Sequence, residues 1–343
     1  PSAGVINPYE FAFALAACAA QNGVELRVDS PVTAIAPRPF GFTLTAGGAA
    51  VDARFVVNAA GVQADQVAAL VGAADFTIRP RRGEEYLLDK QLAGIVRRLI
   101  FPVPSETSKG ILIIPTFDGT IMVGPTAHDQ DDRFDVPTTY EGSEAVFEFV
   151  QRLCPSIDPR MTIAEFAGLR AVSDTEDFII RPSCVPGFIN VAGIQSPGLT
   201  ASPAIATYVV DILGRAGLSL VERDGFNPCV APPARFAQRT VAEQRQLVAE
   251  DPRFGRLVCR CELVTEAEVH QAIDQGARTL DGVKFRTRVG MGRCQGGFCT
   301  SRVMQILAER AAVPFHHVTK RGGGSWVVLP MDDADEPATT TEV

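Results

Sequence analysis

The sequence predicts an α/β domain with an inserted layer of antiparallel strands, followed by a small helical module that carries clustered cysteines. Three observations point there. Up to residue 78, and again from 162, helical periodicity alternates with β-rich runs, as in an α/β fold. Between 79 and 161 the runs shorten, and a strong hairpin signal separates two of them. Four of the eight cysteines fall between 259 and 299, among glycines and helix-start signals.

The elements follow in order. Asn7 suits a helix cap, Pro8 the first helical position, and Glu10 a capping box. Phe11, Leu15, Cys18 and Ala19 recur at helical spacing, and Gly23 stops the run. Residues 24–28 and 32–35 alternate like strands, as do 42–45 and 55–58. Residues 64–71 read as a helix closed by Gly72. In the inserted layer, 86–88, 111–114 and 120–123 read as strands, with Asp118-Gly119 turning between the last two. A helix follows over 143–153. Residues 178–180 and 188–191 return to strand, and Ser202-Pro203 opens a helix to about Leu213.

These readings place the first domain at 1–78 and 162–215, the inserted layer at 79–161, a wrapping linker at 216–255, a cysteine module at 256–329 and an acidic, Thr-rich disordered tail at 330–343. The chain opens on Pro1 as if in mid-domain, so its natural N-terminal part is expected to be missing.

Composition excludes some classes. The 343 residues are 46% hydrophobic and 21% charged, which suits a globular protein of two domains. A net charge of −8 argues against nucleic acid as a partner. No apolar run is long enough to span a bilayer, and no signal peptide is visible. The expectation is a cytoplasmic protein, with room for peripheral contact at the inner face of the membrane. Cys18, Cys154, Cys184 and Cys229 are scattered and read as buried free thiols.

The remaining cysteines form Cys259-x-Cys261 and Cys294-x4-Cys299. Four thiolates in two close pairs suit an iron–sulfur cluster or structural zinc, and two disulfides also satisfy the count. Gly290, Gly292, Gly296 and Gly297 let backbone amides approach the sulfurs, and Arg286, Arg288 and Arg293 offset thiolate charge. Thr265 to Glu268 is a capping box opening a helix to Gln275, which Gly276 stops. A second helix is expected around 281–284, and a third after Cys299 with Val303, Ile306 and Leu307 on its apolar face.

Residues 258–262, 276–284 and 286–299 together resemble the bacterioferritin-associated-ferredoxin-like domain over roughly 256–325. The resemblance implies a [2Fe-2S] cluster held by Cys259, Cys261, Cys294 and Cys299.

Three segments of the first domain carry a ligand-binding logic. Residues 55–65 end a strand in the small residues Ala59, Ala60 and Gly61 ahead of a helix. Residues 193–200, Gly-Ile-Gln-Ser-Pro-Gly-Leu-Thr, follow a strand and offer amides to negative charge. Phe166 to Arg170 sets one arginine beside small residues, suited to a carboxylate or phosphate. In this order they resemble the D-amino-acid-oxidase-like FAD-dependent oxidoreductases over 1–215, and within them the glycerol-3-phosphate-dehydrogenase-like group. The Ser-Pro-Gly-x-Thr loop is similar to that of L-2-hydroxyglutarate dehydrogenases.

The resemblance implies an incomplete α/β (α+β) FAD-binding domain, an antiparallel substrate-side layer and a small helical [2Fe-2S] domain. It places Val32 at the adenine end of FAD, Ala60 and Gly61 near the dinucleotide, and Gly193, Ser196, Gly198, Leu199 and Thr200 around the flavin ring. Arg170 takes the substrate anion. The implied activity is oxidation of glycerol 3-phosphate or a 2-hydroxy acid such as L-2-hydroxyglutarate. Electrons pass through the cluster to a quinone, a ferredoxin or a partner subunit. Alternatives are a subunit of an amino-acid or imino-acid oxidase complex and a non-enzymatic zinc-bound interaction protein. The family's Gly-x-Gly-x-x-Gly segment does not occur near the N-terminus. No general base stands out: His128 reads as a loop histidine, and His270, His316 and His317 as structural.

Overall fold

A computed structural model describes residues 4–103, 110–232 and 235–330. The chain divides into two compact units. One takes Ala14–Cys229 and the residues before Tyr9; the other takes Tyr9–Phe13 and the chain from Val230 onward.

Helix α1 (Pro8–Gln21) is divided between the two units, and the first unit then runs β1 (Val32–Arg38), β2 (Gly41–Ala46), β3 (Ala49–Ala53), β4 (Val56–Asn58), α2 (Ala64–Ala69), β5 (Ile78–Leu88), β6 (Leu112–Pro115), β7 (Ile121–Gly124) and β8 (His128–Asp129). It continues with α3 (Tyr140–Leu153), β9 (Thr162–Ser173), β10 (Ile179–Pro182), β11 (Phe188–Ala192) and α4 (Gly198–Arg215). The strands build three sheets. β1-β2-β3 is an antiparallel meander, whose Gly47-Gly48 turn sits at positive φ, as a tight two-residue hairpin requires. The second sheet has the order β10-β11-β4, with β11 and β4 parallel. In the third, β5 pairs with β7 and β8 along one edge and with β9 along the other.

The sheets bury their apolar faces in separate cores, and β11 is buried on both faces. Phe42, Phe188, Ala64, Ala68, Phe76 and Ile78 form one core, and Val209 and Ile212 of α4 cover Ile189 and Val191 in another. Under α3, Val146, Phe147 and Val150 pack on Tyr86, Leu88, Ile113 and Val123. Fully burying such a side chain contributes roughly 1.5–3 kcal/mol. Glu84, fully buried on this core side of β5, fixes the start of α3. It accepts hydrogen bonds from the Thr139 amide (2.8 Å), the Thr139 hydroxyl and the Tyr86 hydroxyl (3.1 Å). Thr139 in turn caps the helix at the Gly142 amide.

The second unit contains α5 (Val241–Glu250), β12 (Leu257–Cys259), β13 (Val264–Thr265), α6 (Glu266–Asp274), α7 (Leu280–Thr287) and α8 (Thr300–Ala311). Its core gathers Val269, Ile273, Val283, Val303, Met304, Ile306 and Leu307. The expected capping box is present: Thr265 Oγ1 accepts from the Glu268 amide, and Glu268 accepts from the Thr265 amide at 2.8 Å. Gly276 ends α6 at φ +97°.

Several expectations are corrected. Residues 24–28 are not a strand. Their alternation finds no neighbouring strand, and Val24, Leu26 and Val28 lie exposed. The antiparallel layer does not stop at 161, because β9 pairs with β5 along its whole length. Helix α4 begins at Gly198 rather than Ser202, with Pro203 inside it. Helix α3 begins at Tyr140 rather than 143. Of the four scattered cysteines expected as buried free thiols, none is in a disulfide, but Cys18 and Cys154 are only half-buried and Cys184 and Cys229 are exposed. From the linker, Phe236 donates its amide to Glu268 at 3.1 Å and stacks its ring on Phe254, so that stretch packs with the second unit. The tail beyond Pro330 lies outside the described residues.

Candidate redox and substrate sites

In the second unit the chain brings all four predicted cysteines together. Cys259 ends β12, Cys299 caps α8, and Cys261 and Cys294 lie in the intervening loops. The sulfurs pair crosswise between the two motifs. Cys261 Sγ lies 3.7 Å from Cys294 Sγ, and the Cys299 thiol hydrogen-bonds the Cys259 sulfur. The inner pair is buried, Cys259 at 1% exposure and Cys299 at 3%, whereas Cys261 is exposed and Cys294 half-buried.

In each pair the surroundings favour ionisation of one sulfur and oppose it at the other. The bond from Cys299, with amides of Gly290, Glu262 and Cys261, pulls Cys259 well below the usual thiol range despite burial. Donating that bond pushes Cys299 up, reinforced by burial and by the Cys259 charge. Burial opposes the Cys294 thiolate, but the Phe298 amide, the Cys261 thiol and the Gly296 amide outweigh it and lower the pKa. The Cys294 amide favours ionisation of Cys261, yet burial, its thiol bond to Cys294 and the Cys294 charge raise its pKa.

Glycines make this cradle. A Cβ at Gly292 would collide with the Cys261 side chain, and Gly290 and Gly296 sit at φ +80° and +90°. The Gln295 side chain closes the loop by donating to the carbonyls of Met291 (3.1 Å) and Gly292 (3.0 Å). Of the three expected arginines, Arg288 is engaged by Glu262 at 2.9 Å, next to Cys261. Arg286 donates to the Gly282 carbonyl and lies over the Phe13 ring.

This geometry discriminates among metals. Two thiolates on one tetrahedral metal sit about 3.8 Å apart for a metal–sulfur bond of about 2.3 Å. The outer pair meets that spacing. Structural zinc needs all four sulfurs at that spacing around one point. Among the described residues, no three His, Cys, Asp or Glu side chains gather in that way. Two separate pairs instead suit a cluster of two irons, each taking two thiolates, with amides directed at the sulfurs.

In the first unit the predicted flavin residues meet only in part. Strands β4 and β11 run parallel, so their ends, Ala60-Gly61 and Gly193, emerge at the same edge of the sheet. That edge is where α/β sheets hold ligands. Gly61 adopts φ +57°, and a Cβ there would meet nothing within 4 Å. A single 3-10 turn, Gly61–Gln63, precedes α2 and packs against β5 and β9. Gly193, at φ +65°, presses on Ser173 and Asp177. The residues expected as a free-amide loop are the first turn of α4 and the residues before it. Ser196 precedes a cis proline, Gly198 donates its amide to Gln195, and the Thr200 hydroxyl bonds the Pro197 carbonyl. First-turn amides of a helix lack intrahelical partners, so Leu199 and Thr200 still offer donors there. Val32 lies on the separate β1-β2-β3 sheet. The small strand ends, the open side of Gly61 and the α4 amides fit one end of a flavin dinucleotide. The pyrophosphate-binding glycine motif does not occur in this sequence.

Asp65, at the start of α2, is spoken for structurally. It accepts from the Ile78 amide at 3.0 Å and pairs in a fork with Arg133, at 2.8 Å for Nη2–Oδ2. Burial works against its charge, but the Arg133 bonds prevail and hold its pKa low.

Arg170 lies on the third sheet, opposite Arg81. Like charges face to face destabilise a sheet unless something neutralises them. Asp129 engages Arg81, with Nη2–Oδ2 at 3.2 Å. Arg170 is different: it donates to the Thr126 carbonyl at 3.2 Å, and among the described residues no carboxylate reaches ion-pair distance. It lies over Gly83, where a Cβ would collide with its guanidinium. Burial lowers its pKa, a sign of incomplete neutralisation. On the same face, in register with Phe166, sits Glu85. Its Oε2 is closed to solvent and meets no hydrogen-bond partner, and burial, opposed by the Arg170 charge, pushes its pKa up to about 7. The sequence reading passed over Glu85. Its signal is two adjacent acids in one strand, pointing to opposite faces, of which only Glu84 has partners in the core.

Comparisons with known proteins agree. The FAD dependent oxidoreductase (DAO) family model matches residues 1–212, and that of the BFD-like [2Fe-2S] binding domain matches 257–309. The glycerol 3-phosphate dehydrogenase of Caloramator mitchellensis is 42% identical over 95% of this chain and 68% of its own length. Subunit A1 of the anaerobic glycerol-3-phosphate dehydrogenase of Haloferax volcanii is 23% identical over 89% of this chain and 59% of its own length. The FAD-bound structure of L-alpha-glycerophosphate oxidase from Mycoplasma pneumoniae superposes with a TM-score of 0.57 at 29% identity, covering 63% of this chain and 57% of that one. The chain thus spans between about half and two thirds of these relatives. It belongs to the FAD-dependent oxidoreductase family, as a glycerol-3-phosphate-dehydrogenase-like member that also carries a BFD-like [2Fe-2S]-binding domain.

Proposed function

We propose that this chain belongs to a dehydrogenase that oxidises a small hydroxy anion, with glycerol 3-phosphate ahead of 2-hydroxy acids such as L-2-hydroxyglutarate. Its electrons leave through the [2Fe-2S] cluster to a quinone, a ferredoxin or a partner subunit. The observation that carries this reading is Arg170: a half-buried guanidinium on the open face of the substrate-side sheet, with no carboxylate at ion-pair distance among the described residues. The glycerol 3-phosphate named in the relatives supports the substrate class, and the Haloferax subunit supports a partner.

Bound FAD supplies a two-electron hydride acceptor, and the cluster supplies one-electron exit. The chain's own residues do the rest. Arg170 binds and orients the anion with charge-assisted hydrogen bonds. Gly83 keeps that guanidinium flat against the sheet. Gly61, Gly193 and the first turn of α4 would hold the flavin end of the cofactor. Cys259 with Cys299, and Cys261 with Cys294, would each hold one iron. No helix among the described residues is long and apolar enough to cross a membrane.

The test is anaerobic purification with iron, sulfide, zinc and flavin analysis, then titration of the FAD-loaded protein with glycerol 3-phosphate. Bleaching of the flavin absorbance, followed by cluster reduction, is the expected result. Zinc without iron or sulfide, or a flavin that stays oxidised with every hydroxy anion, would overturn the reading.

A further inference from the structure

The substrate-side sheet presents an acid beside its anion-binding arginine, and the acid has no structural task. We propose that Glu85 is the proton acceptor for the substrate hydroxyl, poised on the same face of the sheet as Arg170. The inference rests on the reading that a hydroxy anion is oxidised here.

The geometry argues for it in three ways. Glu85, Gly83 and Arg81 of β5 alternate onto one face, in register with Phe166, Gly168 and Arg170 of β9. The register pair between them is Gly83 and Gly168: the Arg170 guanidinium and the Thr126 carbonyl lie over Gly83, whereas a Cβ at Gly168 would meet nothing within 4 Å, so the β9 side is open. Glu85 Oε2 is buried without a partner, whereas its neighbour Glu84 is fully bonded on the opposite face. A buried carboxyl without a partner is unfavourable for stability alone, and such groups gather where chemistry uses them.

The charged groups around it are few. Arg170 faces it from β9, and Arg81 from its own strand is held by Asp129 of β8. From β7, Gly124 lies against the Glu84 carbonyl and the Glu85 Cα and Cγ and brings no charge. Burial keeps the carboxyl near half-ionised around pH 7. That is where a general base works best.

The step balances. FAD, when bound, would supply the acceptor for the hydride that the substrate carbon gives up. The hydroxyl loses its proton to Glu85 Oε2, the C–O bond becomes a carbonyl, and the two electrons leave with the hydride. Glu85 then returns the proton to water when the product departs.

The experiment compares wild type, Glu85→Gln and Glu85→Asp in the full-length, FAD-loaded protein, with glycerol 3-phosphate as the probe. Stopped-flow absorbance gives the rate of flavin bleaching between pH 6 and 9. Calorimetry gives anion affinity between pH 7 and 9. In wild type, bleaching should accelerate as pH rises through about 7, while affinity weakens because a carboxylate then faces the anion. Glu85→Gln should slow bleaching by roughly 10²–10⁴-fold and flatten both profiles, with a melting temperature no lower than that of wild type. Glu85→Asp should restore the pH limbs at a reduced rate. A Glu85→Gln protein that bleaches at the wild-type rate with both limbs intact overturns the proposal and leaves the functional reading standing. A wild type that binds the anion and never bleaches overturns both.

Discussion

The two units of this chain reach their sites by opposite routes. The cysteine unit builds its candidate site from two short motifs and the glycines around the second, so its four candidate ligands stand out in the sequence by local spacing. The flavin and substrate unit assembles its site from three sheets. Arg170 meets Gly83 only because β9 pairs with β5 across more than eighty residues of intervening chain. A site built from local turns is legible and tolerates little substitution. A site built from register is hidden in sequence, and its loss is graded.

The sharpest way to break that comparison is at the cysteines. Cys259→Ser should reduce iron and labile sulfide to roughly a tenth of wild type or less, because metal binding and local folding are one equilibrium. Metal analysis of the purified variant checks it. A variant that retained both in full would show that three sulfurs suffice.

Next comes the anion site. Arg170→Met should weaken glycerol 3-phosphate binding roughly 10–100-fold, matching about 1.5–3 kcal/mol for a charged hydrogen bond. Cluster content should not change. Calorimetry and iron analysis on the same sample separate the two effects.

Third, Asp65→Asn should destabilise the first unit by about 2–4 kcal/mol, since it leaves Arg133 half-buried beside a neutral partner. The pH profile adds a signature. The Asp65 pKa is depressed in the folded protein, so its stabilisation exists above the unfolded value and is lost as pH falls through the folded one. The wild type should lose stability below about pH 4 more steeply than the variant, as thermal melts would show.

The smallest effect has the opposite sign. The Glu85 pKa is raised to about 7, so its stability contribution is complete at low pH and is lost as pH rises to that value. Glu85→Gln should therefore melt higher than wild type above pH 7, by about 1–3 kcal/mol in stability, and the difference should vanish near pH 4. A difference unaffected by pH would remove burial of the charge as its cause.

How much was legible follows the same division. The Thr265 capping box, the Gly276 stop and the apolar face of α8 are encoded within a few residues, and each forms as expected. The hairpin at Asp118-Gly119 is equally local. Residues 24–28 alternate convincingly but find no strand to bond, and a strand exists only as a pair. Helix α4 starts at Gly198, before Ser202, and takes Pro203 inside its first turns. A proline-based boundary marker misses that. Glu85 escaped because its meaning lies in what it faces, a property of register rather than of sequence spacing. The Arg170 signal was visible only as one arginine among small residues, and the carboxylate engaged by its neighbour Arg81 is what distinguishes it.

The crosswise sulfur pairing also sets how the cysteine unit closes upon itself. The link between Cys261 and Cys294 spans 32 intervening residues, and that between Cys259 and Cys299 encloses it, so the two loops are nested. Closing the inner loop bears most of the chain-entropy penalty, which grows only slowly with length. Once it is shut, the outer link joins ends separated by Arg260 on one side and residues 295–298 on the other. The second closure then meets little entropic resistance. Assembly of the unit should be all-or-none, with half-linked chains scarce at any metal concentration.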